Sequence, residues 1–496
     1  MKVFYLAAEA EPFIKVGGLG DVAGSLPGAL QEVSNPGELE IRVAIPFHGA
    51  IQQQPLPLKF LTALQIPHYP QPLQAQVYEL EHSKVKTYFI GGPLFAKDSP
   101  VYSPDASTDA LKYTFFSLAC LELVQAIEWR PDVVHANDWH TAPALYAIKV
   151  HEEEFFHRTA KVITIHNLPY LGHGAGEVLT EFGLPPATES GLPAWAQQLP
   201  LPLGIYAADR IVAVSPTYAQ EIQTPDFGAG LEEYLSSRQK DIIGILNGID
   251  LETWNPSTDP YIPYPYDAER IERKERNKQK LFEELGWQPV ADAPLLAMIT
   301  RLDYQKGIDI ALGALRSMRE QAWQAVILGT GSPAIEQSVR QLQLEIPDRL
   351  YAVLRFDPHL SHRVYAAADL LLIPSRYEPC GLAQMIAMRY GTVPVGRATG
   401  GLRDTILDTD NPSTSTGFLF EAPQSEALGE ALARAFKLFP RRRAWRAMQR
   451  NGMAQDFSWA RSARRYLEVY REVIEQKTQE LERQKVFGPL SGGVGR

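Results

Sequence analysis

Several short stretches of this chain combine cations, imidazoles, carboxylates and glycines at spacings that suit an anionic, oxygen-rich ligand. In the first, Lys15 precedes Gly17, Gly18 and Gly20, and a helical pattern follows. Small residues let backbone N–H groups approach a phosphate, and a helix start adds favourable potential. His135-Ala136-Asn137-Asp138-Trp139-His140 and His166-Asn167 are polar clusters that each follow an apolar run. Further on, Arg301 and Lys306 stand five residues apart with Gly307 next. Two cations before a helix suit a diphosphate whose charge rises as it departs. Ser375-Arg376-Tyr377-Glu378-Pro379-Cys380-Gly381-Leu382 sets a carboxylate on a strand-to-helix turn, where Glu378 suits hydroxyl groups and the backbone near Gly381 suits phosphate. Thr399-Gly400-Gly401-Leu402 repeats the theme.

Rival chemistries fit less well. Gly18, Gly20 and Gly24 loosely mimic a dinucleotide fingerprint, but they begin some ten residues after the strand, and the next strand ends in Ile45-Pro46 without an acidic residue for a ribose. No Gly-Lys dipeptide occurs, so there is no Walker A loop. A metal site at His135, Asp138 and His140 lacks a convincing third-ligand spacing. Asp408-Thr409-Asp410 precedes Asn411-Pro412 and fits a solvated turn. Taken alone, the glycine loop after the first strand also fits a packing turn, and residues 301–307 also fit a solvated basic turn. Three phosphate-suited turns in succession on one sheet edge are hard to explain by packing.

The elements that must hold these residues alternate between short apolar runs and helical patterns, which predicts an α/β protein with parallel sheets. Expected strands in the first half cover residues 2–8, 41–45, 85–90, 133–136, 161–165, 210–214 and 242–246. Between residues 247 and 294 the texture changes to a turn, a proline- and tyrosine-rich stretch and a charged helix over 267–285, which marks a domain boundary. Strands restart at 295–300, 325–328, 351–354, 370–373 and 392–395, forming a second doubly wound sheet. From residue 459 to about 484, Tyr466, Val469, Tyr470, Val473 and Ile474 follow helical spacing. The glycine-rich tail over 488–496 is expected to fray. Ligands of open α/β sheets bind at the carboxyl ends of strands, where the clusters above fall.

A chain of 496 residues is too long for one ordinary core. Its 48 basic and 58 acidic residues give a net charge of −10, which argues against nucleic acid as a partner. No apolar run approaches the roughly 18 residues a membrane span needs, so no membrane partner is expected. Two cysteines, Cys120 and Cys380, fit a reducing compartment.

Taken together, residues 15–22 (KVGGLGDV), 135–140 (HANDWH), 247–250 with 254–259 (NGID, WNPSTD), 301–307 (RLDYQKG), 375–382 (SRYEPCGL) and 399–405 (TGGLRDT) resemble the bacterial glycogen synthase and plant starch synthase family, in family order over nearly the whole chain. The resemblance implies two Rossmann-like domains facing across a deep cleft. Residues 1–250 would form the acceptor side, 251–458 the donor side, and 459–496 a helix and tail crossing back to the first domain. It implies retaining transfer of glucose from ADP-glucose to the non-reducing 4-hydroxyl of an α-1,4-glucan, with no cofactor and no metal at the diphosphate. Lys15 and Gly18 would meet the diphosphate from one side and Arg301 and Lys306 from the other. Glu378 would hold glucose hydroxyls, and Cys380, Gly381, Leu382, Thr399 and Gly400 would line the donor site. His166 and Asn247 would contact the donor sugar, and Phe356 would stack near adenine. Glu9, Asp138, His140 and Asn167 would lie toward the acceptor. Glu378, Lys306, Arg301, His166 and Asp138 form the expected catalytic set.

Departures from the family pattern also matter. Position 386 holds Ile386 where related transferases often carry a second glutamate, which disfavours a two-glutamate mechanism. After His166-Asn167 the chain reads LPYLG without the usual glutamine, and Phe356 replaces a common tyrosine. Glycogen, amylopectin, amylose and malto-oligosaccharides are the expected acceptors, with starch-granule association left open. The expected location is the cytoplasm, or the plastid stroma for a mature eukaryotic form. The alternatives are a UDP-glucose transferase with a small acceptor, a catalytically silent glucan-binding protein and a nicotinamide oxidoreductase.

Overall fold

A computed structural model describes residues 1–82 and 85–487. The expectation about the tail over 488–496 falls outside them. The chain divides into two compact units. Unit 1 comprises residues 1–214, 219–246 and the segment from Trp459 onward, and unit 2 comprises 215–218 and 247–458. The division falls at Leu246/Asn247 rather than after residue 250, and the short segment 215–218 belongs with unit 2. There, Ser215 Oγ donates to the Pro379 carbonyl at 2.6 Å and Thr217 Oγ1 donates to Asp404 at 2.7 Å.

Unit 1 is built on nine strands: β1 (Lys2–Leu6), β2 (Glu40–Pro46), β3 (Lys59–Ile66), β4 (Leu73–His82), β5 (Val85–Gly91), β6 (Val133–Asn137), β7 (Ala160–Ile165), β8 (Arg210–Ala213) and β9 (Ile242–Gly244). Their order is β3-β4-β5-β2-β1-β6-β7-β8-β9. All neighbours are parallel except the β3/β4 and β4/β5 pairs. β1, β6 and β7 are apolar and buried because helices cover both faces of a parallel sheet. The β3–β4 hairpin was not expected: β3 is largely exposed and alternates with polar residues, so it carries no continuous apolar run. The helix Trp459–Phe487 buries Tyr466, Val469, Tyr470 and Val473 in the unit 1 core.

Unit 2 has six parallel strands: β10 (Leu295–Ile299), β11 (Gln324–Leu328), β12 (Leu350–Val353), β13 (Leu370–Ile373), β14 (Val393–Arg397) and β15 (Phe418–Phe420). Their order is β12-β11-β10-β13-β14-β15. β15 is too short to announce itself in sequence. The charged helix begins at Lys274 rather than 267, because Asp267 accepts the Arg270 N–H at 2.8 Å and closes a turn instead. Among the described residues no helix is long and apolar enough to cross a membrane.

Candidate functional site

In unit 1, β1, β6 and β7 are adjacent, and the polar clusters follow their carboxyl ends. Glu9 is buried beyond β1, and its carboxylate accepts the N–H groups of Val16 and Gly17 and the Tyr102 hydroxyl, the last two at 3.2 and 3.0 Å. Burial lifts its pKa, against the opposing pull of those donors. Glu9 therefore shapes the glycine loop, in addition to the acceptor-side position that the family resemblance implies for it. A carboxylate this desolvated takes the nearest N–H donors. Lys15 is paired with Asp21 at 2.5 Å and Glu11 at 3.3 Å. A side chain added at Gly18 would meet nothing within 4 Å, so the helix start at Gly18 opens onto free space.

Asp138 follows β6 in a left-handed conformation (φ 54°) and is buried. One carboxylate oxygen accepts the His166 and Asn167 backbone N–H groups at 2.7 and 3.4 Å, joining the ends of β6 and β7. Burial pushes its pKa up to about 7. His166 Nε2 lies 2.9 Å from Asn137 Oδ1, and burial holds its pKa down to about 3, so the imidazole is neutral. His140 is buried among the rings of Trp139, Tyr113 and Tyr102, and burial likewise depresses its pKa. His140 Nδ1 and Asn167 Oδ1 are buried without a protein partner, as atoms awaiting a ligand would be. His135 instead spends both ring nitrogens inside the fold, 2.7 Å from Tyr470 Oη and 2.7 Å from Thr164 Oγ1, which leaves none for a metal. Among the described residues no group of three or more His, Cys, Asp or Glu side chains is placed to hold a metal ion.

In unit 2 the adjacent strands β10, β13 and β14 carry the other clusters. Lys306 Nζ lies 2.8 and 2.7 Å from the two Glu378 oxygens, and Ser375 Oγ donates to the same carboxylate at 2.7 Å. Arg301 is more exposed and pairs with Asp303 at 3.1 Å. The two cations thus have different ties: one is bound to the buried carboxylate, the other reaches into solvent. Cys380 is buried, and desolvation pushes its thiol up to about 12 against the Asn247 backbone N–H, so it is an apolar wall and no nucleophile. Asn247 Oδ1 is buried and unpartnered. Gly381 and Gly400 have φ of +72° and +43°. Thr399 caps the helix Gly400–Thr405, and the Gly401 N–H donates to the Glu378 carbonyl at 3.1 Å, so the two turns are stitched together. Leu382 begins the next helix, in which Ile386 is buried. Phe356 is 82% exposed, with a ring free to stack. Asp408 pairs with Arg434 at 2.8 Å.

Residues 2–237 match a family profile described as the starch synthase catalytic domain, and residues 279–451 match glycosyl transferases group 1. A glycogen synthase of Thermotoga petrophila is 40% identical over 96% of this chain and 99% of the relative. The glycogen synthase of Syntrophotalea carbinolica is 38% identical over 96% and 99%. The chain belongs to the glycogen and starch synthase family. It is a glycosyltransferase. Among solved structures, the catalytic domain of starch synthase IV from Arabidopsis thaliana, bound to ADP and acarbose, matches with a TM-score of 0.85 and 32% identity over 95% of this chain and 99% of that one. A sucrose-phosphate synthase from Thermosynechococcus elongatus matches at TM-score 0.60 and 18% identity, a likeness of fold.

The family motifs do not all serve the strand ends. Within 254–259, Asp259 is buried against His362 Nδ1 at 2.7 Å and the Tyr390 hydroxyl, and Trp254 stacks on His362 at 4.1 Å. This stretch is a structural knot. Conversely, sequence inspection missed Tyr102, which lies in no motif. The only signal was its place between β5 and Asp105, whose side chain caps the helix Ala106–Ala126. A long connection after β5 returns it to Glu9.

Proposed function

We propose that this synthase transfers glucose from ADP-glucose to the non-reducing 4-hydroxyl of an α-1,4-glucan with retention of configuration. The observation that carries this is the Lys306–Glu378–Ser375 cluster on adjacent strand ends, a cation and a carboxylate held together in a family of glucosyl-transferring synthases. The ion pair and the Ser375 bond fix the Glu378 carboxylate, whose remaining lone pairs accept glucose hydroxyls. Arg301 and Lys306 take up the charge that develops on the departing diphosphate, with Lys15 and Gly18 as further phosphate contacts. The bond from glucose C1 to the ADP oxygen breaks, a bond from C1 to the acceptor oxygen forms on the same face, and the acceptor proton passes to the leaving phosphate. Neutral His166, whose Nε2–H is spent on Asn137 Oδ1, offers Nδ1 as an acceptor to a hydroxyl of the donor sugar. Asn247 and the wall of Cys380, Gly381, Leu382, Thr399 and Gly400 line the donor, and Phe356 stacks on adenine. Asp138, His140 and Asn167 take the acceptor.

No metal or cofactor enters this scheme, and cytoplasmic glycogen or starch-granule glucan would serve as acceptor. The test is transfer of labelled glucose to glycogen from ADP-glucose and UDP-glucose, each with and without EDTA. ADP-glucose-dependent, EDTA-insensitive incorporation is expected. Incorporation from UDP-glucose alone, or none, overturns the proposal.

A further inference from the structure

Lys112 lies in the helix Ala106–Ala126, in no motif, and is 2% exposed. Its ammonium pairs with Asp109 at 2.6 Å and donates to the carbonyls of Val101 and Pro100 at 2.6 and 3.3 Å. Asp109, itself 5% exposed, accepts the Ser103 N–H at 2.8 Å, and the Tyr113 hydroxyl donates to the Val101 carbonyl at 2.6 Å. Among the described residues, the side-chain hydrogen bonds that this buried pair makes outside itself go to the backbone of residues 100–103. That loop presents Tyr102, whose hydroxyl donates to Glu9 at 3.0 Å while its ring packs beside His140. Glu9 in turn holds the N–H groups of Val16 and Gly17, between Lys15 and Gly18.

A buried ion pair contributes little net stability, and an apolar pair of similar volume often does as well or better. What it can supply is a fixed geometry. We infer that Lys112 is a positioning residue for glucosyl transfer: with Asp109 it clamps residues 100–103, which aim Tyr102 at Glu9 and so set the glycine loop that carries Lys15 and Gly18. This rests on the donor-binding role proposed above for that loop. Burial opposes both charges, raising Asp109 and lowering Lys112, so the pair persists by its mutual attraction and its ties to the loop.

The test is a double-mutant cycle on kcat/KM for ADP-glucose, with the wild type run first so that failure of the ADP-glucose assignment itself is seen separately. Lys112→Met/Asp109→Asn removes both charges, and Tyr102→Phe removes only the hydroxyl that reaches Glu9. We expect the charge-free variant to lose about tenfold or more in kcat/KM for ADP-glucose, with KM for glycogen within about twofold of wild type. On a Tyr102→Phe background the same change should cost less than about threefold, since both act through one carboxylate. Activity within about threefold of wild type in a folded variant, or fully additive losses, overturns the inference. Should the charge-free variant not fold, Tyr113→Phe serves, because it removes one hydroxyl tie to Val101 and keeps the ring. Non-additivity with Tyr102→Phe is expected there too, and wild-type kinetics for Tyr113→Phe would overturn the positioning role.

Discussion

Replacing Lys306 by methionine separates what this ammonium does for the fold from what it does for the reaction. In the folded protein it lies 2.7–2.8 Å from both oxygens of Glu378, whose side chain is only 8% exposed. Methionine keeps most of the volume but leaves that carboxylate with the Ser375 hydroxyl alone. Removing one partner of a buried pair costs about 3–5 kcal/mol, and the 17% exposure of the Lys306 side chain places this case near about 3 kcal/mol. For a unit of this size that lowers Tm by about 6 to 12 °C. Losing a group that stabilises leaving-group charge should lower turnover about 10²- to 10³-fold. Adding Glu378→Gln should recover much of the Tm and none of the turnover. Initial rates of labelled glucose transfer at saturating ADP-glucose give kcat, and cosedimentation with glycogen gives glucan affinity, which should change little. Turnover within about threefold of wild type in a folded Lys306→Met enzyme would refute the leaving-group role, and an unchanged Tm would refute the buried-pair reasoning.

Asp138→Asn suits the left-handed backbone at this position. The folded protein raises the Asp138 pKa from 3.8 to about 7, so ionising the group destabilises the fold progressively from about pH 4 to pH 7 and by a constant amount above. Thermal melts should show the Asn variant more stable than wild type at pH 8 and equal to it near pH 4, with transfer activity reduced at both; a lower Tm at pH 8 would count against the assignment. A β-carbon on Gly401 would lie 1.9 Å from the Cys380 carbonyl oxygen, so Gly401→Ala should displace the Glu378 turn and lower both Tm and kcat. Gly18→Ala, with open space around the new methyl, should keep its Tm and shift KM for ADP-glucose, and equal melts for the two variants would contradict this. For Asp259, burial raises the pKa, but bonds from His362 and Tyr390 outweigh it and leave it below the usual range. The stabilisation is present at neutral pH and lost as acid protonates the group, so the Tm deficit of Asp259→Asn should shrink below about pH 4.

Much of the architecture was legible because parallel strands buried on both faces are written as contiguous apolar runs. β1, β6, β7, β10 and β13 could be placed within a few residues, and the clusters after them marked the carboxyl edges of both sheets. The β3–β4 hairpin escaped because its exposed residues break any such run, and β15 because three residues carry no periodicity. What the linear order could not convey was which side chains meet. Lys306 and Glu378 are 72 positions apart, Glu9 and Tyr102 are 93, and His135 and Tyr470 are 335. Strand order brings them together, and the need to satisfy each desolvated charge or ring nitrogen then selects the partner. Sequence alone therefore determined the family, the sheets and the edge on which the chemistry sits. Only the tertiary structure decided that Glu9 braces a loop, that His135 is spent inside the core, and that Asp259 belongs to a knot, because a local motif specifies a turn while burial specifies what that turn must bind.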